Sequence, residues 1–188
     1  MAEAREKHQE LLEKIGEAVL GQYNLKDLNV FTGFFKQSWA NGTLVFGRGV
    51  WPREGNRPVG LWVDYLSFDC LASDEKDDAL EAYVYVGAAR RKARLDVVAA
   101  KRKLWQELPK LLTAEERQSC LKHEDEKDCL VGWRFSSKQE FLGWIRAGDE
   151  PKLTECIQDQ VAIFVKLVPL LNDLLRSDKA EKSSASPR

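Results

Sequence analysis

The sequence predicts an α+β domain: a mostly antiparallel four-stranded sheet flanked by helices, in the order α-β-β-β-α-β-α-α. Three observations predict it. Apolar residues recur at helical spacing near both ends of the chain. Between residues 42 and 87, three segments rich in β-branched and aromatic residues follow one another with only turns and loops between them. A fourth such segment comes after a helical stretch. At 188 residues, with 44% hydrophobic and 31% charged residues, the chain has the size and composition of one globular domain.

The elements follow in order. Leu11, Leu12, Ile15, Ala18 and Val19 fall at helical spacing between Glu and Lys residues, so residues 3–20 read as an amphipathic helix ending near Gly21 and Asn24. Thr43–Phe46, Val59–Phe68 and Leu80–Val86 read as strands. The Pro/Gly/Asn cluster from Trp51 to Pro58 separates the first two, and the acidic loop Ala72–Asp78 separates the second and third. Connections this short favour antiparallel neighbours. Along the second strand, Leu61, Val63 and Tyr65 share one face, and Trp62, Asp64, Leu66 and Phe68 the other. Both faces are largely apolar, which predicts a central strand with helices on both sides.

Helical character resumes near Arg94, with Val97, Ala100, Leu104, Leu108 and Leu111 on one stripe and Pro109 expected to kink it. Thr113-Ala114-Glu115-Glu116 and Ser137-Lys138-Gln139-Glu140 read as capping boxes that open two further helices. Leu130–Phe135 between them reads as the fourth strand. In the last helix Ile157, Val161, Phe164, Val168, Leu171 and Leu175 recur at steps of four and three, with Asp149 as cap and Pro151 near the first turn. The stripe ends at Leu175. Residues 1–176 are expected to form the domain, and the Lys/Glu/Ser-rich residues 177–188 a disordered tail.

Composition narrows the function. A formal net charge of −1 disfavours a protein built mainly to coat nucleic acid or an anionic membrane. Neither a signal peptide nor an apolar run of membrane-spanning length is apparent. Cys70, Cys120, Cys129 and Cys156 therefore read as reduced thiols of a cytoplasmic protein. No nucleophile-elbow, dinucleotide-binding or P-loop spacing occurs, and the two histidines, His8 and His123, sit in polar surroundings. Cys120, His123 and Cys129 form one short-spaced group, whereas a structural zinc site needs four ligands, so neither a metal nor a cofactor is expected.

Two surface features remain. The segment from Arg90 to Lys110 holds Arg90, Arg91, Lys92, Arg94, Lys101, Arg102, Lys103 and Lys110 against Asp96 and Glu107. As a phosphate-tracking face, it would bind nucleic acid weakly, chiefly through Arg90, Arg91, Arg94, Arg102 and Lys103. Of six tryptophans, Trp39 and Trp51 lie outside the periodic segments, and with Phe31, Phe34 and Phe35 they could form an exposed aromatic patch. Phe34, Phe35, Trp39 and Trp51 are the candidate partner-binding residues.

The order helix, three strands, helix, strand over roughly residues 5–135 resembles the core of the PD-(D/E)XK nuclease superfamily. That resemblance implies a divalent metal held by a carboxylate near the end of the second strand and by the acid of an acidic-x-Lys pair on the third, whose lysine helps position the water. Asp64 stands at the first position. The third strand reads Glu81-Ala82-Tyr83, so the lysine is missing, and Lys101 on the following helix replaces it only if its side chain reaches the sheet. The residues together predict a non-enzymatic cytoplasmic protein-interaction module, an accessory or regulatory subunit with a protein partner. The alternative is a divergent nucleic-acid-acting protein using Asp64, Glu81 and Lys101.

Overall fold

The computed structural model describes residues 2–22, 30–31, 43–48, 51–55, 57–66, 68–71, 79–123 and 126–183. They form a mixed α+β fold. Helix α1 (Ala2–Gln22) is followed by β1 (Val30–Phe31), β2 (Leu44–Phe46), a small hairpin of β3 (Arg53–Glu54) and β4 (Arg57–Pro58), and β5 (Gly60–Val63). Then come α2 (Phe68–Leu71), β6 (Ala79–Tyr85), a π-helical turn at Ala89–Ala93, α3 (Val97–Leu111) and α4 (Ala114–Gln118). The chain continues with β7 (Cys120–Leu121), β8 (Cys129–Ser137), α5 (Lys138–Ala147) and α6 (Glu150–Ser183). The main sheet runs β1-β2-β5-β6-β8-β7, and every pairing in it is antiparallel.

Among the described residues the sheet has six strands where four are expected. The extra strands, β1 and β7, are two-residue edge pieces, too short to leave a period-2 signature. The turn expected around residues 52–58 contains the hairpin β3–β4, whose tip is Gly55 at φ 56°. The second predicted strand stops at Val63, and α2 begins at Phe68. At the other end, the helical backbone of α6 continues to Ser183, past the predicted end of the domain at residue 176. Lys179, Ala180, Glu181 and Lys182 are good helix formers and can extend a helix that packing has already nucleated.

One large core lies between the sheet and the helices. Leu12, Ile15 and Val19 of α1 meet Leu153, Ile157, Val161, Phe164 and Leu171 of α6, and both helices cover Leu61, Val63, Leu80 and Val84 of the central strands. Val97, Ala100, Leu104 and Leu108 of α3 and Phe141 and Leu142 of α5 complete it. The opposite face of the sheet carries a smaller cluster of Val45, Trp62 and Tyr85, with Tyr83 packed against it. Among the described residues no helical residue belongs to that cluster, so no described helix covers this face of β5, where the sequence predicts helices on both sides. His8 of α1 also departs from expectation: it is buried, with Nε2 against the Leu66 carbonyl.

The predicted caps form largely as expected. Thr113 and Glu116 make a reciprocal capping box at α4. At α5, Ser137 accepts from Glu140 N, but the Glu140 carboxylate turns to Ser136 Oγ. Asp149 accepts from Lys152 N at the start of α6.

Two buried indoles are anchored on α6. Trp133 Nε1 donates to Gln160 Oε1 at 2.8 Å, and Trp51 Nε1 donates to Asn172 Oδ1 at 2.9 Å. Arg48 donates to the same Asn172 oxygen. The Trp51 ring meets Phe164 edge-on at 6.0 Å. Phe164 and Leu171 are fully buried on either side of Pro169. Truncating either to alanine is expected to cost about 2–5 kcal/mol in urea unfolding through lost burial and an unfilled cavity. Losses below about 1 kcal/mol would mean that α6 packs on something other than this core.

Candidate functional site

β5 and β6 pair with Trp62 opposite Tyr83 and Val63 opposite Ala82. Asp64 follows directly, and the Tyr83 hydroxyl donates to its Oδ2 at 2.9 Å. Glu81 lies two residues before Tyr83 and so shares its face. Asp64 and Glu81 therefore sit on one side of the sheet, the side of the smaller aromatic cluster, as the nuclease-like reading requires.

Their chemistry is already engaged. Asp64 Oδ1 accepts from Thr43 Oγ1 and from the Tyr65 backbone N–H. Together with Tyr83, three donors converge on one carboxylate. Burial first and the adjacent Asp64 carboxylate second push the Tyr83 phenol far above its ordinary value, so it remains a donor. Tyr65 turns the chain out of β5 in the left-handed region, at φ 63°, and leaves its ring 49% exposed. Glu81 Oε1 accepts from Arg134 Nε at 3.2 Å across the β6–β8 pair.

Lys101 does not reach these carboxylates. Its ammonium donates to the His123 carbonyl at 2.5 Å and the Glu126 carbonyl at 2.7 Å, so it ties α3 to the β7–β8 connection. The expectation that Lys101 substitutes for the missing lysine fails for this reason.

The same connection brings in His123, which the sequence places in polar surroundings. Its ring lies over β8 at Gly132, where the absence of a Cβ makes room for Nε2. Nε2 is 4.0 Å from Glu81 Oε2, Nδ1 is 3.4 Å from Glu126 Oε1, and the ring meets Tyr83 edge-on at 6.3 Å. Tyr83, Asp64, Glu81, Arg134 and His123 thus form one polar network. The pairing of residues 62–64 with 81–83 could have revealed part of it. The approach of His123 depends on the fold of the loop and leaves no mark in the sequence.

The thiols near His123 have other neighbours. Cys129 donates to Glu126 Oε2 and Cys120 to the Glu116 carbonyl. Burial raises both thiols above their ordinary values. It also pushes Cys156 up to about 12, with help from Asp159, Glu140 and Glu155. None of the four cysteines is in a disulfide. Among the described residues, no group of three His, Cys, Asp or Glu side chains is placed to hold a metal ion.

The surface candidates separate. Phe34, Phe35 and Trp39 lie outside the described residues. Trp51 belongs to the core at 5% exposure and is no surface anchor, because its indole is used on Asn172. Arg90 and Arg91 both donate to Asp128, at 2.6 and 2.8 Å. Arg91 also pairs with Glu54 and donates to the Tyr85 hydroxyl, so the two arginines clamp β3, β6 and the start of β8 rather than offering free cations to phosphate. Arg94, Arg102 and Lys103 are exposed.

Beside the exposed side of α3 runs a cleft of about 380 Å³, lined by Lys101, Arg102, Trp105, Lys122, His123 and Leu130. A second hollow of about 500 Å³ lies on the other side of Lys101, next to Val98, which is 69% exposed. No family model, curated protein or solved structure matches the chain.

The Asp128 clamp has a consequence in acid. Burial alone would raise the Asp128 carboxyl, but hydrogen bonds from Arg90 and Arg91 outweigh it and hold the group below its ordinary value. The lowered folded value means that this contribution is complete above the unfolded value of about 3.9. It is lost as pH falls through the folded value. The stability gap between wild type and Asp128→Asn should therefore narrow as pH drops from about 5 to about 3. A gap unchanged over that range in urea titrations would show that the pair contributes nothing to the acid dependence.

Proposed function

We propose that this chain is a non-enzymatic protein-interaction module, an accessory or regulatory subunit that works in the cytoplasm on a protein partner. The observation that carries the reading is the engagement of every group a nuclease-like site would use. Asp64 is held by Thr43, Tyr83 and Tyr65, Glu81 by Arg134, and Lys101 by two backbone carbonyls. Activating water requires a carboxylate or amine able to face substrate or metal. Here those groups hold strands and loops together.

Outward-facing chemistry remains on α3, where Val98, Arg102 and Lys103 are exposed. An exposed apolar side chain set among cations suits a contact that buries one residue and surrounds it with polar ones. No helix among the described residues is long and apolar enough to cross a membrane.

The nucleic-acid reading retains one supporting observation, the shared face of Asp64 and Glu81. Two experiments decide between the readings. With Mg²⁺ or Mn²⁺ present, the isolated chain is expected to leave DNA and RNA uncut; cleavage abolished by Asp64→Ala would instead establish the nuclease. A photoreactive residue at position 98 is expected to give a discrete protein adduct in cells, and the same group at exposed Gly143 of α5 is not. Nucleic-acid adducts at position 98, or none, would overturn the interaction reading.

A further inference from the structure

We propose that the cleft beside α3 binds an acidic linear segment of a partner protein, its carboxylates among Lys101, Arg102 and Lys122 and an apolar side chain against Trp105 and Leu130. This rests on the interaction reading above and specifies the chemistry of the partner.

The charge balance of the cleft carries the inference. Three cations line it and, among the described residues, no carboxylate does. Lys101 donates to two carbonyls, which are neutral, so among the described residues no carboxylate hydrogen-bonds its ammonium and a third N–H is left to donate. Lys122 lies over the Trp105 ring at 5.2 Å, which holds its ammonium at the rim. Arg102 is exposed, and its planar fork can take a carboxylate in two parallel bonds. Elsewhere on the basic segment, Arg90 and Arg91 are paired with acids. Those two arginines are thus committed to acids, whereas Lys101, Arg102 and Lys122 face one cleft together.

Shape adds a length. Trp105 marks the cleft, and Val98 stands beside the second hollow, one helical segment away on α3. Seven residues of helix span about 10 Å, roughly three residues of polyproline II chain, whose three-residue turn puts side chains three apart on one face. The segment that fits has apolar side chains three apart, at Trp105 and at Val98, with acidic residues between them facing Lys101 and Arg102. The second hollow contains Asp96 and Glu126 as well as Arg90, Lys101 and Lys127, so it suits the apolar end rather than further carboxylates. A phosphate backbone has no use for an apolar contact at each end.

The test is fluorescence anisotropy on the full chain with fluorescein-labelled heptapeptides Gly-Φ-Asp-Glu-Φ-Gly-Gly, Phe or Leu at each Φ. Matched peptides carry Asn-Gln in place of Asp-Glu, and labelled oligothymidine serves as the nucleic-acid probe. The acidic peptides are expected to bind about tenfold or more tightly than the amide peptides and to weaken as salt rises. The double variant Arg102→Glu/Lys122→Glu should lose that preference, and Trp105→Ala should weaken both series, with circular dichroism checking that each variant is folded. Equal binding of acidic and amide peptides, an acidic preference that survives the double variant, or tighter binding of oligothymidine would each overturn the proposal. If the peptides fail while the group at position 98 still captures a protein, the cleft chemistry is wrong and the interaction reading stands. Failure of both removes that reading too.

Discussion

The structure depends on burying one face of α6 against the sheet and α1. That face is apolar along Leu153, Ile157, Val161, Phe164, Leu167 and Leu171, and all six are at 1% exposure or less. Two polar residues interrupt it, Gln160 and Asn172, and each accepts an indole N–H from Trp133 or Trp51. An unpaired buried indole or amide would cost on the order of 1–3 kcal/mol, so these contacts restrict where β8 and the segment after β2 can lie. Apolar burial supplies the drive, and the two amides supply position.

That positioning extends to the far side of the sheet. With β2, β5, β6 and β8 held in register from the α6 side, Thr43, Asp64, Tyr83, Glu81 and Arg134 necessarily meet on the other. A shift of one residue in β6 would send Tyr83 into the main core and leave Asp64 without its phenol. Asp64 stabilises this arrangement by accepting from two neighbouring strands and from the residue that leaves β5. The left-handed conformation of Tyr65 fits the same role, because it turns the chain at the point where its N–H reaches the carboxylate.

The helices were legible because their signals are local. The α6 stripe, the α3 stripe beginning at Val97 and the Thr113 capping box all lie within a few residues of sequence. The core strands were legible from Leu61, Val63, Leu80 and Val84, although the two-residue edge strands were not. The site was only half legible. Asp64 stood out as an acid in an apolar segment, a position that demands partners. Which partners depended on register, so Tyr83 and Thr43 were missed. Lys101 was placed correctly on its helix, but its ammonium follows loop carbonyls that no spacing rule reveals. Trp51 was misread because its surroundings in sequence are Gly- and Pro-rich, while its surroundings in space are Phe164 and Asn172.

The molecule divides into an internal polar network that holds strands together and an outward α3 surface that remains available. Paramagnetic Mn²⁺ tests this division most directly. If Asp64 and Glu81 are engaged internally, stoichiometric Mn²⁺ should leave the backbone amide resonances of Tyr65, Ala82 and Tyr83 as sharp as those of the rest of the sheet. Selective loss of those resonances would show that the carboxylates open to take a metal, and would contradict the account.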